Sequence, residues 1–477
     1  MSVSRSYFRE DTIAGIATPL GGAISLIRIS GPHAFLVLES LTGSKKAALY
    51  EARKLFRTPV LLETGELLDD ALMVRFPAPH SYSGEDVLEI HLHGGVFIAP
   101  RLMETLAHHG IRQALPGEFS FRAVRNGKLT LFQAQAVADL IGATDEQALG
   151  LALEKLSGTQ NKRLESLAQG LRQAASLAEL GIDFSDQDVE ELSLETLQKK
   201  LTHLHQTLET WKATYERGSK LREGIRVAFI GLPNAGKSSF FNAILGQDRS
   251  IVSEHEGTTR DVIGERITLR GKKTSLTLRL EDTAGVRKSD HPIEKIGIER
   301  SLDAIQTADL LLWVIDPLSP FEQLDALWDR LHQAVQKISS QTPALAKKTL
   351  GILTKSDQRD PALFTPFQDY FQGLGISQWV MTSSVQAQGI EAAIEKILEC
   401  CETQVHREKG ELILTRLDHL SAVEEALNHL NRAQDACELP LFASDLRQAL
   451  HSLAPLIGET LPDDILGQIF SSFCIGK

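Results

Sequence analysis

Apolar and polar positions divide the chain into four stretches of different rhythm. From residue 1 to about 126, period-two runs at Thr12–Ile16, Ile24–Ile29, Ala71–Phe76 and Val87–His93 alternate with three-and-four spacing near Ala34–Leu41 and Phe97–His109. That mixture predicts an α+β unit. From 127 to 220 the spacing is helical, over Leu131–Ala143, Ala148–Leu180 and Leu192–Tyr215, with an acidic break at residues 183–188 that reads as a solvated loop with an N-cap. Residues 221–399 return to alternating strand and helix, and 400–477 are helical again, over Leu412–Leu430 and Leu441–Leu456. Two helical blocks around a complete α/β domain predict an insertion, with the helices on either side of it packing as one bundle.

The inserted domain carries the clearest chemistry. Ile225–Ile230 reads as a buried strand, and Gly231-Leu232-Pro233-Asn234-Ala235-Gly236-Lys237-Ser238 follows it and opens a helix. This is the phosphate-binding loop GxxxxGK[ST] in its required context. Successive backbone N–H groups curl around phosphate oxygens, Lys237 reaches the outer phosphates and Ser238 can ligate Mg2+. Ala235, Gly236 and Ser239 belong to the same cradle. Downstream, Thr259 in Gly257-Thr258-Thr259 stands where a switch threonine closes over Mg2+, and Asp282-Thr283-Ala284-Gly285 reads as the DxxG element that senses the γ-phosphate.

Thr354-Lys355-Ser356-Asp357 follows another strand and reads the base. A carboxylate at Asp357 accepts both N–H groups of the guanine edge, a pair adenine does not offer, while the Lys355 stem lies along the ring. Related GTPases usually have Asn at the position of Thr354, which shortens one polar contact here. The strand Trp379–Thr382 leads into Ser383 and Ser384, which complete the base-side loop; Ser384 stands where alanine is common. After DxxG the chain has Val286, where Ras-type GTPases carry a glutamine that orients the attacking water. Hydrolysis therefore needs another base and another positive charge. Asn234 offers an oxygen suited to a monovalent cation beside the phosphates, or is a plain loop asparagine; the residues leave both open.

The totals narrow the partners. A chain of 477 residues with 42% hydrophobic and 23% charged residues is expected to fold as about three soluble domains. A formal net charge of -12 excludes gripping nucleic acid by bulk electrostatics, so any RNA contact is local or shared. Cys400, Cys401, Cys437 and Cys474 lack the spacing of a zinc ribbon or disulfide scaffold. Glu89, His91 and His93 share one strand face, but nothing completes a metal set, so the histidines read as surface or satisfied ones. The N-terminus lacks the apolar core of a signal peptide and no apolar run reaches membrane length, so the expected compartment is the cytoplasm, with no membrane association.

From end to end the chain resembles the MnmE (TrmE) family of tRNA-modification GTPases. The resemblance is carried by Pro116-Gly117-Glu118-Phe119-Ser120, Asn126-Gly127-Lys128-Leu129, residues 133–141, Asp282-Thr283-Ala284-Gly285, residues 294–300 and the terminal Phe473-Cys474-Ile475-Gly476-Lys477. It implies a folate-binding-like α+β domain for dimerisation (1–126), a helical domain in two parts (127–220 and 400–477) and an inserted Ras-like α/β GTPase domain (221–399). It further implies a homodimer that joins a flavin-dependent MnmG (GidA)-type partner in a heterotetramer and modifies C5 of the wobble uridine of certain tRNAs.

By position, Arg28, Glu89, Lys128 and Lys477 match residues contacting a tetrahydrofolate derivative, in its 5-formyl or methylene form. Asn234, Ser253, His255 and Thr258 match a K+ site, Ser238 and Thr259 match Mg2+ ligands, and Glu294 matches the glutamate that positions the hydrolytic water. Ser253, Glu254, His255, Glu256, Gly257 and Thr258 then join the GTP-binding set. Cys474 is a nucleophile candidate or a small hydrophobe. Two departures stand out: Pro19-Leu20-Gly21-Gly22-Ala23 replaces a Gly-Arg-Gly-Gly pattern, and Phe121 replaces a charged residue. Two other functions compete, a GTPase switch in ribosome assembly and a stand-alone folate enzyme. The first leaves the N-terminal unit and the terminal motif unexplained.

Overall fold

The computed structural model describes residues 7, 9–45, 50–183, 193–247, 250–252, 265–272, 274–281, 305–336, 345–408, 410–457, 466, 469, 470 and 473. Helices and sheets form two compact units: residues 1–141, 155–204 and 425–477 make one, and residues 142–154 and 205–424 the other.

The first unit holds a sheet of β1 (Ile13–Ile16), β2 (Ile24–Ser30), β3 (Phe56–Leu61), β4 (Leu67–Phe76), β5 (Val87–His93) and β6 (Arg112–Gln113) in the order β3-β4-β5-β2-β1-β6. Alternation decides its faces. Ile27, Ile29, Leu88, Ile90, Ala71 and Met73 point into a core closed by Val37, Leu38 and Leu41 of one helix and Ala99, Leu102 and Leu106 of another. Arg28, Glu89, His91 and His93 fall on the opposite face. The helix Leu439–Ser452 packs along Thr159–Asp183, as an insertion between them requires. Gly170 admits the contact with the next helix, because a Cβ there would lie 2.9 Å from Leu204 Cδ2.

The second unit is built on a sheet of β7 (Ile225–Ile230), β8 (Ser250–Val252), β9 (Glu265–Arg270), β10 (Ser275–Glu281), β11 (Leu310–Ile315), β12 (Thr349–Leu353) and β13 (Trp379–Met381), in the order β13-β12-β11-β7-β10-β9-β8. Its parallel centre explains why β11 is apolar at every position and buried throughout: both faces are covered. Leu310, Leu312 and Val314 join the core on one face, and Leu311, Trp313 and Ile315 that on the other, where Trp313 stacks on Trp328 at 4.9 Å. The segment 142–154 belongs to this unit. Asp145 caps the helix Glu146–Leu156 through the Ala148 N–H (2.8 Å) and accepts the Thr277 N–H of β10 (3.0 Å), while Leu151 enters the sheet's core.

Two stretches depart from the helical pattern of the sequence. The run from Ala148 to Leu180 is two helices, Glu146–Leu156 and Thr159–Asp183, because Gly158 takes φ +80° between them. Leu412, Ile413 and Leu414 are buried but not helical; the helix starts at Leu417. That segment lies against Gly218, where a Cβ would meet Leu414 O at 2.0 Å, and the Leu414 N–H donates to Thr214 Oγ1 at 3.0 Å. Tertiary packing there overrides a local period.

Candidate functional site

The parallel order of the second sheet brings the ends of β7, β11, β12 and β13 to one edge, where ligands bind in open α/β sheets. The phosphate loop leaves β7 at Gly231, whose φ is +149° and whose missing Cβ would lie 2.2 Å from Val314 O. Only glycine passes β11 this closely. Asn234 is exposed with φ +61°, a left-handed conformation that asparagine tolerates. Gly236, at φ +98°, caps the helix Lys237–Leu245. Lys237 Nζ donates to Gly231 O (2.9 Å) and Leu232 O (3.0 Å). Burial lowers the pKa of this ammonium, since two neutral carbonyls do not replace water, and phosphate oxygens supply the missing charge. Ser238 and Ser239 sit in the helix's first turn.

The base-reading segment is tied to this loop. Thr354 is buried, and its hydroxyl donates to Ala235 O at 2.7 Å and to Ile315 O at 3.1 Å. The shorter side chain therefore still bridges base loop and phosphate loop. Lys355, at φ +58°, sends Nζ to Asn234 O (3.1 Å) and Asp316 Oδ2 (2.7 Å). A hydrogen bond from the Ser383 side chain holds the Asp357 carboxyl below its ordinary pKa, so it is an ionised acceptor at neutral pH. Ser383 is itself fixed, with its N–H on Gln388 O at 2.8 Å. Ser384 follows it directly.

In the first unit, cross-strand register places Arg28 opposite Glu89, and Arg28 Nε donates to Glu89 Oε1 at 2.9 Å. The Arg28 guanidinium lies over Tyr82 (5.3 Å) and Phe119 (5.8 Å), and the Tyr82 hydroxyl shares a 2.8 Å hydrogen bond with Ser120. Asn126 Nδ2 donates to Ser83 O at 2.7 Å, and the Lys128 stem lies against Gly84 in the same loop as Tyr82. His93 Nδ1 pairs with Asp69 at 2.7 Å, whereas His91 Nε2, buried without a hydrogen bond, lies 4.0 Å from Glu89 Oε2.

Sequence reasoning missed an ion network in the same unit. Arg122 and Glu118 are buried and bonded at 3.0 Å; Arg122 also reaches Asp11 (3.0 Å) and Glu85 (3.0 Å), and Arg112 joins Glu118 (2.7 Å) to Asp11 (2.8 Å). Glu85 then accepts from Ser30 at 2.8 Å, and Ser30 contacts Ser83 at 2.7 Å. Burial pushes the Asp11 carboxyl up, but the bonds and charges of Arg112 and Arg122 outweigh it and leave the pKa lowered. The signal was Glu118 within Pro-Gly-Glu-Phe-Ser, since a carboxylate among apolar neighbours needs a buried cation.

Ser253, Glu254, His255, Glu256, Gly257, Thr258, Thr259, Asp282, Thr283, Ala284, Gly285, Val286, Glu294, Cys474 and Lys477 lie outside the described residues. Among the described residues no His, Cys, Asp and Glu cluster could hold a metal ion.

Comparison with known proteins joins the two sites in one family. The MnmE helical domain matches residues 131–474, and the N-terminus of the GTP-binding protein TrmE matches 12–128. The chain belongs to the MnmE family of tRNA modification GTPases. The tRNA modification GTPase MnmE of Psychrobacter arcticus is 38% identical over 98% of this chain and 96% of its own length. That of Synechococcus sp. (strain JA-3-3Ab) is 36% identical over 98% of each chain. The G domain of the T. maritima FeoB iron transporter is 26% identical over 37% of this chain and 98% of its own, with a TM-score of 0.26. As an MnmE-family member the chain is a GTPase. No helix among the described residues is long and apolar enough to cross a membrane.

Proposed function

We propose that this chain is the cytoplasmic GTP-hydrolysing component of a tRNA-modifying complex. As a homodimer, with a flavin-dependent MnmG (GidA)-type partner, it adds an aminomethyl-type (carboxymethylaminomethyl) group at C5 of the wobble uridine of certain tRNAs. The one-carbon unit comes from a tetrahydrofolate derivative, and K+-dependent dimerisation of the G domains completes the hydrolytic site.

The observation that carries this reading is the Arg28–Glu89 pair in a chain that also holds a GTP site. A pterin ring presents an amino group and a ring N–H side by side, as guanine does, and a fixed carboxylate accepts both. Tyr82, half-buried with the Arg28 guanidinium over its ring, supplies flat apolar surface beside the pair. The pair therefore fits a folate headgroup, with Lys128 available to an anionic portion of it. On the GTP side, Ser238 opens the helix where a Mg2+ ligand is needed. Asn234, exposed at the loop tip, fits a K+ ligand that offsets phosphate charge where Val286 supplies none.

Nucleoside analysis of tRNA from cells lacking the gene tests the function. Loss of the C5 modification at the wobble uridine is expected, and an unchanged wobble uridine would favour a ribosome-assembly switch instead. GTP hydrolysis in K+ against Na+ buffers tests the cation. The rate is expected to be higher in K+, and Asn234→Ala to remove the preference; equal rates in both salts contradict it.

A further inference from the structure

One carboxylate stands between the two cations of the base-reading segment. Asp316, at the end of β11, accepts Lys355 Nζ at 2.7 Å and Arg359 Nη2 at 3.2 Å on Oδ2; its Oδ1 takes Arg359 Nε at 3.4 Å and the Leu318 N–H at 3.1 Å. Its side chain is 15% exposed, against 31% for Lys355 and 22% for Arg359. Burial pushes the Asp316 carboxyl up, but the bonds from Arg359 and Lys355 outweigh it and keep the group ionised. Neither the phosphate-loop motif nor the Thr-Lys-Ser-Asp element includes this residue.

The arrangement has two effects on the base site. Lys355 is stretched between Asp316 and the Asn234 carbonyl, so its aliphatic stem has a fixed course along the place of the base. Arg359 follows Asp357 by two residues, and its charge already lowers the Asp357 pKa. A guanidinium released that close to a surface carboxylate forms a bidentate pair with it, and that pair uses the two oxygens a guanine edge needs.

We propose that Asp316 is a specificity-determining positioning residue: by holding Arg359 it keeps Asp357 open to guanine, and by holding Lys355 it fixes the stem beneath the base. The inference rests on Asp357 as the guanine reader.

The test measures GDP and xanthosine diphosphate affinity of the full chain carrying Asp316→Asn, Asp316→Glu, Arg359→Gln, the double variant Asp316→Asn/Arg359→Gln, and Asp357→Asn. Asp316→Asn is expected to weaken GDP about tenfold, and the double variant to regain at least about threefold of that loss, because the competing guanidinium is gone. Arg359→Gln alone should change affinity less than about twofold, and Asp316→Glu, which keeps the charge, should stay within about threefold of the parent. A merely structural turn needs only a short side chain accepting the Leu318 N–H, so Asn would serve like the parent and Glu would fail. The proposal is overturned if Asp316→Asn binds GDP like the parent, if the double variant is no better than Asp316→Asn, or if Asp316→Glu is as weak as Asp316→Asn. Asp357→Asn separates the underlying reading: it should shift preference toward the xanthine nucleotide, and no shift removes the base assignment itself.

Discussion

The nucleotide site and the Arg28–Glu89 site both hold charged side chains in fixed positions, but the first uses backbone and the second uses buried ions. Around the phosphate loop, Lys237, Thr354 and Lys355 each reach a main-chain carbonyl, Lys355 sharing its ammonium with Asp316, and the loop's path depends on the open φ of Gly231 and Gly236. In the unit of Arg28, a network of side chains joins Arg112, Glu118 and Arg122 of one segment to Asp11 and Glu85 from distant parts of the chain. A backbone cradle carries polar groups that any fold must satisfy anyway. A buried ion network has to offset the desolvation of every member, so removing one partner leaves the others uncompensated. The two sites should therefore fail in different ways.

The largest contrast comes from Arg122→Met. It removes one of the two guanidiniums on the fully buried Glu118, leaving Arg112, and should cost about 3 kcal/mol of stability in the first unit. Urea unfolding measures the loss, and GDP binding by the second unit should persist. A loss under about 1 kcal/mol would mean that the network contributes little. Thr354→Ala is the matching change in the cradle. It leaves the buried Ala235 carbonyl without its hydroxyl donor, while Ile315 O keeps the Thr354 N–H at 2.9 Å, and should weaken GDP by about 1 kcal/mol, roughly fivefold, with little change in global unfolding.

The smallest effect is a pH dependence. Asp11 has a folded pKa below its ordinary value of 3.8, so its contribution is fully present above 3.8 and is lost as pH falls through the lower folded value. Acid titration of stability should show this loss in the parent and less of it in Asp11→Asn.

What could be read from the sequence follows the same division. The phosphate loop and the Thr354–Asp357 element were legible because a cradle is made by consecutive residues, and fixed spacing is all that a sequence displays. Glu89 was legible as one face of a strand, by period two. Its partner Arg28 entered only through family resemblance, because the register of β2 against β5 is set by tertiary packing. The network at Arg122 left one sign, the Glu118 carboxylate among apolar neighbours; its ties to Asp11 and Glu85 come from separate segments and do not show in spacing. Thr354 looked like a shortened contact; the close approach of the Ala235 carbonyl lets its hydroxyl reach the phosphate loop at 2.7 Å.

If both sites serve one reaction on tRNA, disabling either one abolishes it. The most direct measurement is the wobble-uridine content of tRNA in a deletion strain complemented by Glu89→Ala or by Asp357→Asn, with protein abundance matched to the parent. The account predicts that each variant loses the modification, although Glu89→Ala still binds GDP and Asp357→Asn still binds a tetrahydrofolate derivative. Full modification with either site disabled would contradict it.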